Sequence, residues 1–120
     1  MNEALASKTM IVNAESNIWT VREFLPSMIK KNSGHVVSIS SVAGMTGCAG
    51  MTDYCASKFA AFGFNESLRI EMKILGKNIK CTTICPFFIN TGMFAGVNPG
   101  LICGFLDQFN VADRIVSAIL

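Results

Sequence analysis

Two short runs of β-branched residues, separated by one long helical pattern, constrain the fold of this chain more than any other feature. The runs are HVVSIS (35–40), which follows a glycine, and IKCTTIC (79–85), which ends at Pro86. Such runs predict buried strands. Between them, the segment from Tyr54 to about Leu75 has a helical pattern and ends at Gly76. A strand, a helix and a strand with a crossover of this length predict a right-handed parallel β-α-β unit.

Helices are predicted on both sides of this unit. Apolar residues recur at helical spacing over about 8–31 and predict a helix with one buried face, which Pro26 should bend near its last turns. Residues 32–34 should end it. A last helix is expected from near Asn110, whose side chain can cap it, to Leu120. The order of elements is that of half of a doubly wound α/β sheet.

Length and composition exclude several classes of protein. A chain of 120 residues holds at most one domain, and 51% hydrophobic with 15% charged residues excludes a disordered tail. A net charge of +2 is too small to indicate nucleic-acid binding. The sequence has neither a secretion signal nor the roughly 18 consecutive apolar residues of a membrane helix, which predicts a cytoplasmic location for the chain as written.

The cysteines do not indicate a disulfide framework or a metal site. They are odd in number, they lack C-x-x-C pairs, and the chain has a single histidine, so we interpret them as reduced, small buried hydrophobic residues: Cys48, Cys55, Cys81, Cys85 and Cys103. His35 is interpreted as the first side chain of its strand. Four larger apolar residues are interpreted as core or helix-packing residues rather than substrate contacts: Met45, Met51, Phe59 and Phe62.

The only tyrosine of the chain, Tyr54, lies four residues before Lys58. On a helix this spacing places both side chains on one face. A phenol is a poor acid or base at neutral pH, but a cation within a few ångströms favours the phenolate and lowers the phenol pKa. Such a pair can exchange a proton with an alcohol or carbonyl oxygen. The spacing alone is weak, since it also marks ordinary exposed helix faces.

The context of the pair favours the chemical interpretation. In SISSVAGMTGCAGMTDYCASK (38–58), a strand brings Ser40 and Ser41 to its carboxyl end, and a loop of small residues leads to Tyr54 at the start of the next helix. Ligands of open α/β sheets bind beyond the carboxyl ends of the strands, where these hydroxyl groups should converge. The alternative is that the two serines only satisfy backbone groups in a turn.

These residues resemble the active site of the short-chain dehydrogenase/reductase family, which uses Asn, Ser, Tyr and Lys. Ser41 lies thirteen residues before Tyr54, as in the family, and Lys58 completes Y-x-x-x-K. The segment IVNAESNIWTVREFLPSM (11–28) resembles the family's preceding helix and nominates Asn13, which could instead be a surface residue. PFFINT (86–91) resembles the family's PG-x-V-x-T pattern, with Phe87 in place of the glycine.

The resemblance implies a fold and a set of roles. The fold is a partial Rossmann-type doubly wound sheet whose first βαβαβ half is missing, and the cofactor is NAD or NADP. Tyr54 would exchange the proton with the substrate oxygen, and Ser41 would donate a hydrogen bond to that oxygen. Lys58 would favour the phenolate and contact the nicotinamide ribose, while Asn13 would hold a water that connects Lys58 to solvent.

The resemblance also extends to the cofactor and substrate loops. After Pro86, main-chain groups at Ile89 and the side chain of Thr91 would hold the nicotinamide carboxamide. DYCASKFAAFGF and FLPSMIKKNSGHVVSISS look closer still to the membrane-associated branch that contains epidermal retinol dehydrogenases and 17β-hydroxysteroid dehydrogenases. That branch implies a retinoid, steroid or other lipid alcohol as substrate, with loop 92–109 as its lid. It also implies location at the endoplasmic reticulum membrane or lipid droplets, and dimers formed through helices 8–31 and 54–75.

The sequence also departs from the family because it contains no G-x-x-x-G-x-G turn to hold the cofactor pyrophosphate. Two functions therefore stand. The chain is an NAD(P)-dependent oxidoreductase, or it is a truncated, catalytically inactive homologue that acts, if at all, by helix pairing. Without earlier strands, the first strand would also have an unpaired edge, which favours association with another chain. A generic α/β binding module leaves the Ser41, Tyr54 and Lys58 spacing unexplained.

Overall fold

The computed structural model of the chain describes residues 2–94, 96 and 104–120. Contacts within the chain divide it into two compact units, Met1–Cys85 and Pro86–Leu120. In the described residues, the first unit contains three α-helices and a two-stranded sheet, and the second contains one α-helix. The prediction of a single domain over residues 1–120 stays a prediction. Among the described residues, no helix combines the length and the apolar character needed to cross a membrane.

The first unit begins with consecutive helical segments. Helix α1 (Glu3–Met10) is followed by a π-helical turn (Ile11–Glu15) and by helix α2 (Ser16–Lys31). The helical run starts earlier than the predicted residue 8 because the Asn2 side chain caps α1 by accepting a hydrogen bond from the Leu5 N–H. Pro26 lies inside α2, which continues past it to Lys31. Asn32 ends the helix in the left-handed conformation, with φ 48°.

Strand β1 (Gly34–Ile39) and strand β2 (Ile79–Ile84) pair in parallel, in a register that runs from Gly34 opposite Ile79 to Ile39 opposite Ile84. Helix α3 (Thr52–Ile74) connects them and contacts both strands. Gly76 follows α3 with a φ of +64°, where a glycine is favoured. The predicted parallel β-α-β unit and the mixed α/β class are therefore confirmed, with element boundaries within two residues of those expected.

The core of the first unit lies between α3, α2 and the sheet. Its buried centre consists of Leu68 and Met72 from α3 and Ile79 from β2. Half-buried side chains of α2 and both strands pack around this centre: Val21, Leu25, Met28, Ile29, Val36 and Cys81. Full burial of one such aliphatic side chain contributes about 1.5–3 kcal/mol, so this contact fixes α3 on the sheet.

Two of the four apolar residues expected in the core are exposed. Met45 is 59% exposed and Phe59 is 46% exposed, so their prediction as packed residues was wrong, whereas Met51 and Phe62 are half-buried. Phe59 lies outside the stripe of α3 that faces the interior, which contains Cys55, Ala61, Leu68 and Met72.

The cysteines differ from one another in burial. Cys55 is buried as predicted, Cys81 and Cys85 are half-buried, and Cys48 is exposed, which corrects its prediction as a buried residue. Cys48 lies in the loop of small residues that precedes α3, where few side chains are available to cover it. All four are free thiols. Cys103 lies outside the described residues.

The second unit contains helix α4 (Gln108–Ile119). Its cap is Asp107, whose side chain accepts a hydrogen bond from the N–H of Asn110 at 2.9 Å. The prediction that Asn110 caps this helix was therefore wrong, because the helix begins two residues earlier and places Asn110 in its first turn. Either residue type suits a cap, and the sequence alone does not choose between them.

Candidate active site

The first turns of α3 bring Tyr54 and Lys58 together, as their spacing predicted. The Lys58 Nζ atom lies 5.7 Å from the centroid of the Tyr54 ring. The same ammonium donates a hydrogen bond of 3.2 Å to the carbonyl oxygen of Ile39, the last residue of β1. The lysine cation is thus held at the carboxyl end of the strand, beside the phenol.

Partial burial changes the acidity of this cation. Lys58 is half-buried, and desolvation lowers the pKa of its amino group below the ordinary lysine value. Burial has this effect because removal from water disfavours the charged form. The lysine therefore releases a proton more readily than a lysine in water, which suits a group that takes part in proton transfer.

The two serines after β1 lie at the same edge of the sheet. Ser40 is buried, and its Oγ donates a hydrogen bond of 2.8 Å to the Lys58 carbonyl oxygen, which attaches the end of β1 to α3. Ser41 is half-buried, and its Oγ accepts a hydrogen bond from the Ala43 N–H at 3.1 Å. Both serines satisfy backbone groups, as the alternative interpretation expected, and Ser41 also begins a 3-10 turn (Val42–Gly44).

Because Gly44 has no side chain, the backbone of this turn can pack directly against α3. A Cβ atom at Gly44 would lie 2.5 Å from Ser40 Oγ and 2.6 Å from the Lys58 carbonyl oxygen. Real Cβ atoms do not approach other atoms this closely, so a larger residue would push the turn away from α3. The glycine therefore sets the distance between the serine turn and the helix that carries Tyr54 and Lys58.

Asn13 reaches α3 from the π-helical turn. It is half-buried, and its Nδ2 donates a hydrogen bond of 3.1 Å to the Oγ of Ser57, the residue before Lys58. Asn13 therefore contacts the turn of α3 that carries Tyr54 and Lys58. π-Helical turns occur frequently at functional sites, because the extra residue turns a side chain or a backbone group out of the regular helix.

Ser57 was not predicted as part of this site. It lies on an apolar helix between the two predicted residues, and it is fully buried, with 0% of its surface exposed. The only signal in the sequence is a hydroxyl residue in the stretch CASK (55–58), and a serine at such a position is ordinary in a helix.

Three of the residues predicted to bind the cofactor, Pro86, Ile89 and Thr91, lie in the second unit. Ile89 forms a parallel bridge with Leu106, whose N–H and carbonyl oxygen bond to the main chain on either side of Ile89. Thr91 is exposed, and its N–H donates to the Ile89 carbonyl oxygen at 2.8 Å. The roles of these residues stay predictions.

An aromatic cluster occupies the same unit. The Phe88 ring lies in edge contact with the rings of Phe87, Phe94 and Phe105, at centroid distances of 4.8, 4.8 and 6.2 Å. Phe94 and Phe105 come from the loop predicted as a substrate lid, of which residues 95 and 97–103 lie outside the described part of the chain. The described part of this loop is rich in large apolar side chains, including Met93, which is 74% exposed.

Comparison with protein families and curated proteins gives a consistent result. The short chain dehydrogenase family model matches residues 1–101. The chain is 47% identical over 119 residues to short-chain dehydrogenase/reductase family 16C member 6 of Bos taurus. This match covers 97% of this chain and 38% of the relative. The chain is also 47% identical over 121 residues to epidermal retinol dehydrogenase 2 of Homo sapiens, with 98% and 39% covered. The chain thus spans about two fifths of the length of these relatives.

Solved structures give the same fold. A short chain dehydrogenase/reductase from Burkholderia phymatum, in complex with NAD, superimposes with a TM-score of 0.78 at 27% identity, over 92% of this chain and 48% of that one. A short-chain dehydrogenase from Sphingobium yanoikuyae, in complex with NADPH, gives a TM-score of 0.83 at 18% identity, over 99% of this chain and 46% of that one. The match of the family model, the identity to curated relatives and the shared architecture together show that the chain belongs to the short-chain dehydrogenase family.

Proposed function

We propose that the chain carries the catalytic residues of an NAD(P)-dependent oxidoreductase that interconverts a lipid alcohol, of the retinol or steroid type, and its carbonyl compound. The observation that carries the proposal is the position of Lys58, whose ammonium lies beside the Tyr54 ring and is bonded to the last carbonyl of β1. Ser41 follows the same strand, so three groups suited to a carbonyl oxygen come from one edge of the sheet. Ligands of open α/β sheets bind at this edge.

The proposed roles follow from the chemistry of these groups. During oxidation, the Tyr54 oxygen accepts the hydroxyl proton of the alcohol, and during reduction it returns that proton to the carbonyl oxygen. Ser41 donates a hydrogen bond to the same oxygen while its charge changes. Lys58 stabilises the phenolate by its positive charge, and Asn13 holds the water that connects Lys58 to solvent. The nicotinamide cofactor, when bound, accepts or supplies the hydride at the carbinol carbon.

The donor set of the site fits a nicotinamide nucleotide. An ammonium carries three N–H donors, and the Ile39 carbonyl takes one of those of Lys58, so the same group can also donate to a ribose hydroxyl. Ile89 and Thr91 are the proposed contacts of the carboxamide, and Pro86 is a further proposed cofactor contact. Relatives crystallised with NAD and with NADPH share the fold, which supports a nicotinamide cofactor without selecting one of the two.

Two observations support a lipid substrate. Epidermal retinol dehydrogenase 2 is among the relatives at 47% identity. The second unit also presents the Phe88 cluster and the exposed Met93 from the segment proposed as a substrate lid. Aromatic and methionine side chains suit the apolar skeleton of a retinoid or steroid. Location at the endoplasmic reticulum membrane or at lipid droplets belongs to the same proposal, and imaging of a fluorescent fusion tests it.

Turnover of retinol and of a steroid alcohol with NAD⁺ or NADP⁺ tests the proposal. We expect oxidation with one of the cofactors, and a fall in kcat of about 10²–10⁴-fold in Tyr54→Phe, because the ring remains while the proton carrier is removed. Val116→Ala, a change of an exposed residue of α4 outside loop 92–109, is the control and should retain activity. Unchanged turnover in Tyr54→Phe would contradict the assignment of Tyr54.

The second candidate is a catalytically inactive homologue that pairs through its helices. The observation in its favour is the exposure of large apolar side chains on α2 and α3, including Ile18, Trp19 and Phe24 on α2 and Phe59 on α3. A folded chain without turnover that sediments as a dimer, and as a monomer after Trp19→Glu, would favour this candidate. A monomer at every concentration would count against it.

A further inference from the structure

Ser57 forms a buried hydrogen-bonded contact between two segments of the site. Its Oγ donates to the Tyr54 carbonyl oxygen at 2.7 Å and accepts from the Asn13 Nδ2 at 3.1 Å. Its side chain is fully buried. The residue thus connects the π-helical turn to the part of α3 that lies between the two catalytic candidates, Tyr54 and Lys58.

Asn13 is also held at its main chain. The Nδ2 of Asn17 donates a hydrogen bond of 2.8 Å to the Asn13 carbonyl oxygen. The π-helical pattern is seen in the Ser16 N–H, which reaches the Ile11 carbonyl five residues earlier. Asn13 is therefore fixed at both ends, through its amide to Ser57 and through its carbonyl to Asn17.

An ordinary helical serine does not explain this arrangement. Serine often donates to the carbonyl three or four residues earlier, as Ser27 does to Phe24 at 2.8 Å on the exposed surface of α2. Ser57 makes the same local bond but adds complete burial and a partner 44 residues away in sequence. Loss of its hydroxyl would leave the Asn13 amide without this partner in a partly buried site, where a hydrogen bond constrains orientation strongly.

We propose that Ser57 is a positioning residue, which holds the Asn13 side chain against the turn of α3 that carries Tyr54 and Lys58, and that Asn17 holds the Asn13 backbone in the same position. The inference rests on the proposed function, since it gives Ser57 and Asn17 a part in the same site. In physical terms, Ser57 and Asn17 set the orientation of Asn13 relative to α3.

NMR spectroscopy of the chain tests this contact directly. With ¹⁵N-labelled asparagine, the Asn13 side-chain amide proton that is bonded to Ser57 Oγ should exchange slowly with water. Ser57→Ala should make this exchange with water fast. Ser27→Ala, which removes a hydroxyl that makes the same kind of local bond, should leave the exchange rate unchanged. An Asn13 amide that keeps its shift and its protection in Ser57→Ala would overturn the proposal.

The NMR resonance of the single tyrosine gives a second test, which reports on the surroundings of the ring rather than on the stability of the protein. With ¹³C in the tyrosine ring, only Tyr54 is observed. Asn13→Ala and Ser57→Ala should each shift this resonance in the same direction, and the double variant should shift it no further than either single variant. Shifts that add in the double variant would show that the two residues act separately. Asn13→Ala keeps the test valid if Ser57→Ala fails to fold.

Kinetics separate this inference from the proposed function. In an active enzyme, Ser57→Ala should lower kcat with little change in the KM for cofactor, and Ser57→Cys, which keeps a weak donor and acceptor of similar size, should recover part of the loss. A loss confined to KM would contradict positioning of the catalytic groups. Absence of turnover in the wild-type chain contradicts the proposed function, while the Asn13 amide signal still decides the role of Ser57.

Discussion

Gly44 lets the serine turn pack directly against α3. The turn that contains it contacts α3 at Lys58 and the side chain of Ser40, and no space remains for a methyl group. We predict that Gly44→Ala lowers the free energy of unfolding by about 1–3 kcal/mol, the usual cost of overpacking. Urea unfolding measures this change.

Gly47, in the same loop, provides a matched control. A Cβ atom placed there meets no atom within 4 Å, so Gly47→Ala should change stability by less than about 0.5 kcal/mol. Equal stability of Gly44→Ala and Gly47→Ala would show that the turn is not held against α3.

The burial of Lys58 predicts a dependence of stability on pH. Desolvation lowers its pKa in the folded chain, whereas in the unfolded chain the amine keeps its proton up to about pH 10.4. Between the two values the unfolded state binds more protons, so the contribution of Lys58 to stability rises with pH. Below this window the cost of burying the charge is fully present, and above it the cost is absent.

The measurement compares unfolding of the wild type and Lys58→Met from neutral pH to about pH 10.4. The free energy of unfolding of the wild type, relative to that of Lys58→Met, should increase as pH rises. Lys73→Met, a change of an exposed lysine in the last turn of α3, is the control for removal of a charge. If the stability of the wild type relative to Lys58→Met stays constant or falls as pH rises, the assigned burial of Lys58 is contradicted.

At the scale of residues, the sequence allowed prediction of the groups with a fixed local spacing. Tyr54 and Lys58 are four apart on a helix, so their proximity does not depend on the rest of the fold. Ser57 could not be predicted, because its contact with Asn13 is set by the meeting of α3 with the π-helical turn. Asn17 bonds locally to the Asn13 carbonyl oxygen, and such a bond is ordinary for a polar residue on a helix. A polar residue on a helix has the same sequence signature whether it faces water or a buried amide.

Helix α3 and strand β2 are joined by a polar contact as well as by the apolar core. Asn65 is 1% exposed, and its Nδ2 donates a hydrogen bond of 2.6 Å to Thr83 Oγ1, while its Oδ1 has no hydrogen-bond partner. Asn65→Ala should lower the free energy of unfolding by about 1–3 kcal/mol, because it removes the partner of the Thr83 hydroxyl.

A second substitution distinguishes the hydrogen bond from the packing. If the cost comes from the unpaired hydroxyl, Thr83→Val added to Asn65→Ala should recover part of the lost stability. Equilibrium unfolding of the two single variants and the double variant measures this coupling. Strictly additive losses of stability in the double variant would show that the contact stabilises the fold only through packing.

The elements themselves were largely predictable, and their ends were less so. The β-branched runs and the helical pattern between them gave the β-α-β unit, since burial requires that pattern in any parallel sheet. The π-helical turn at Ile11–Glu15 has no sequence signature of its own and was missed. The cap of α4 was misplaced because Asp107 and Asn110 are both good capping residues.

At the scale of the molecule, the described sheet has two strands, and the chain covers 38% of a curated relative of the same family. Tyr54, Lys58, Ser41 and Asn13 nevertheless lie on one compact unit with defined contacts. We therefore expect this unit to provide the lysine contact to a nicotinamide nucleotide.

Fluorescence titration of the folded chain with NADH and NADPH tests this claim most directly. We predict saturable binding of one cofactor, weakened about 10–100-fold in Lys58→Ala, since a hydrogen bond from a charged group is worth about 1.5–3 kcal/mol. Lys73→Ala, which changes an exposed lysine of the same helix, should bind as the wild type does. No saturable binding by the folded chain, or binding that Lys58→Ala leaves unchanged, would contradict the account.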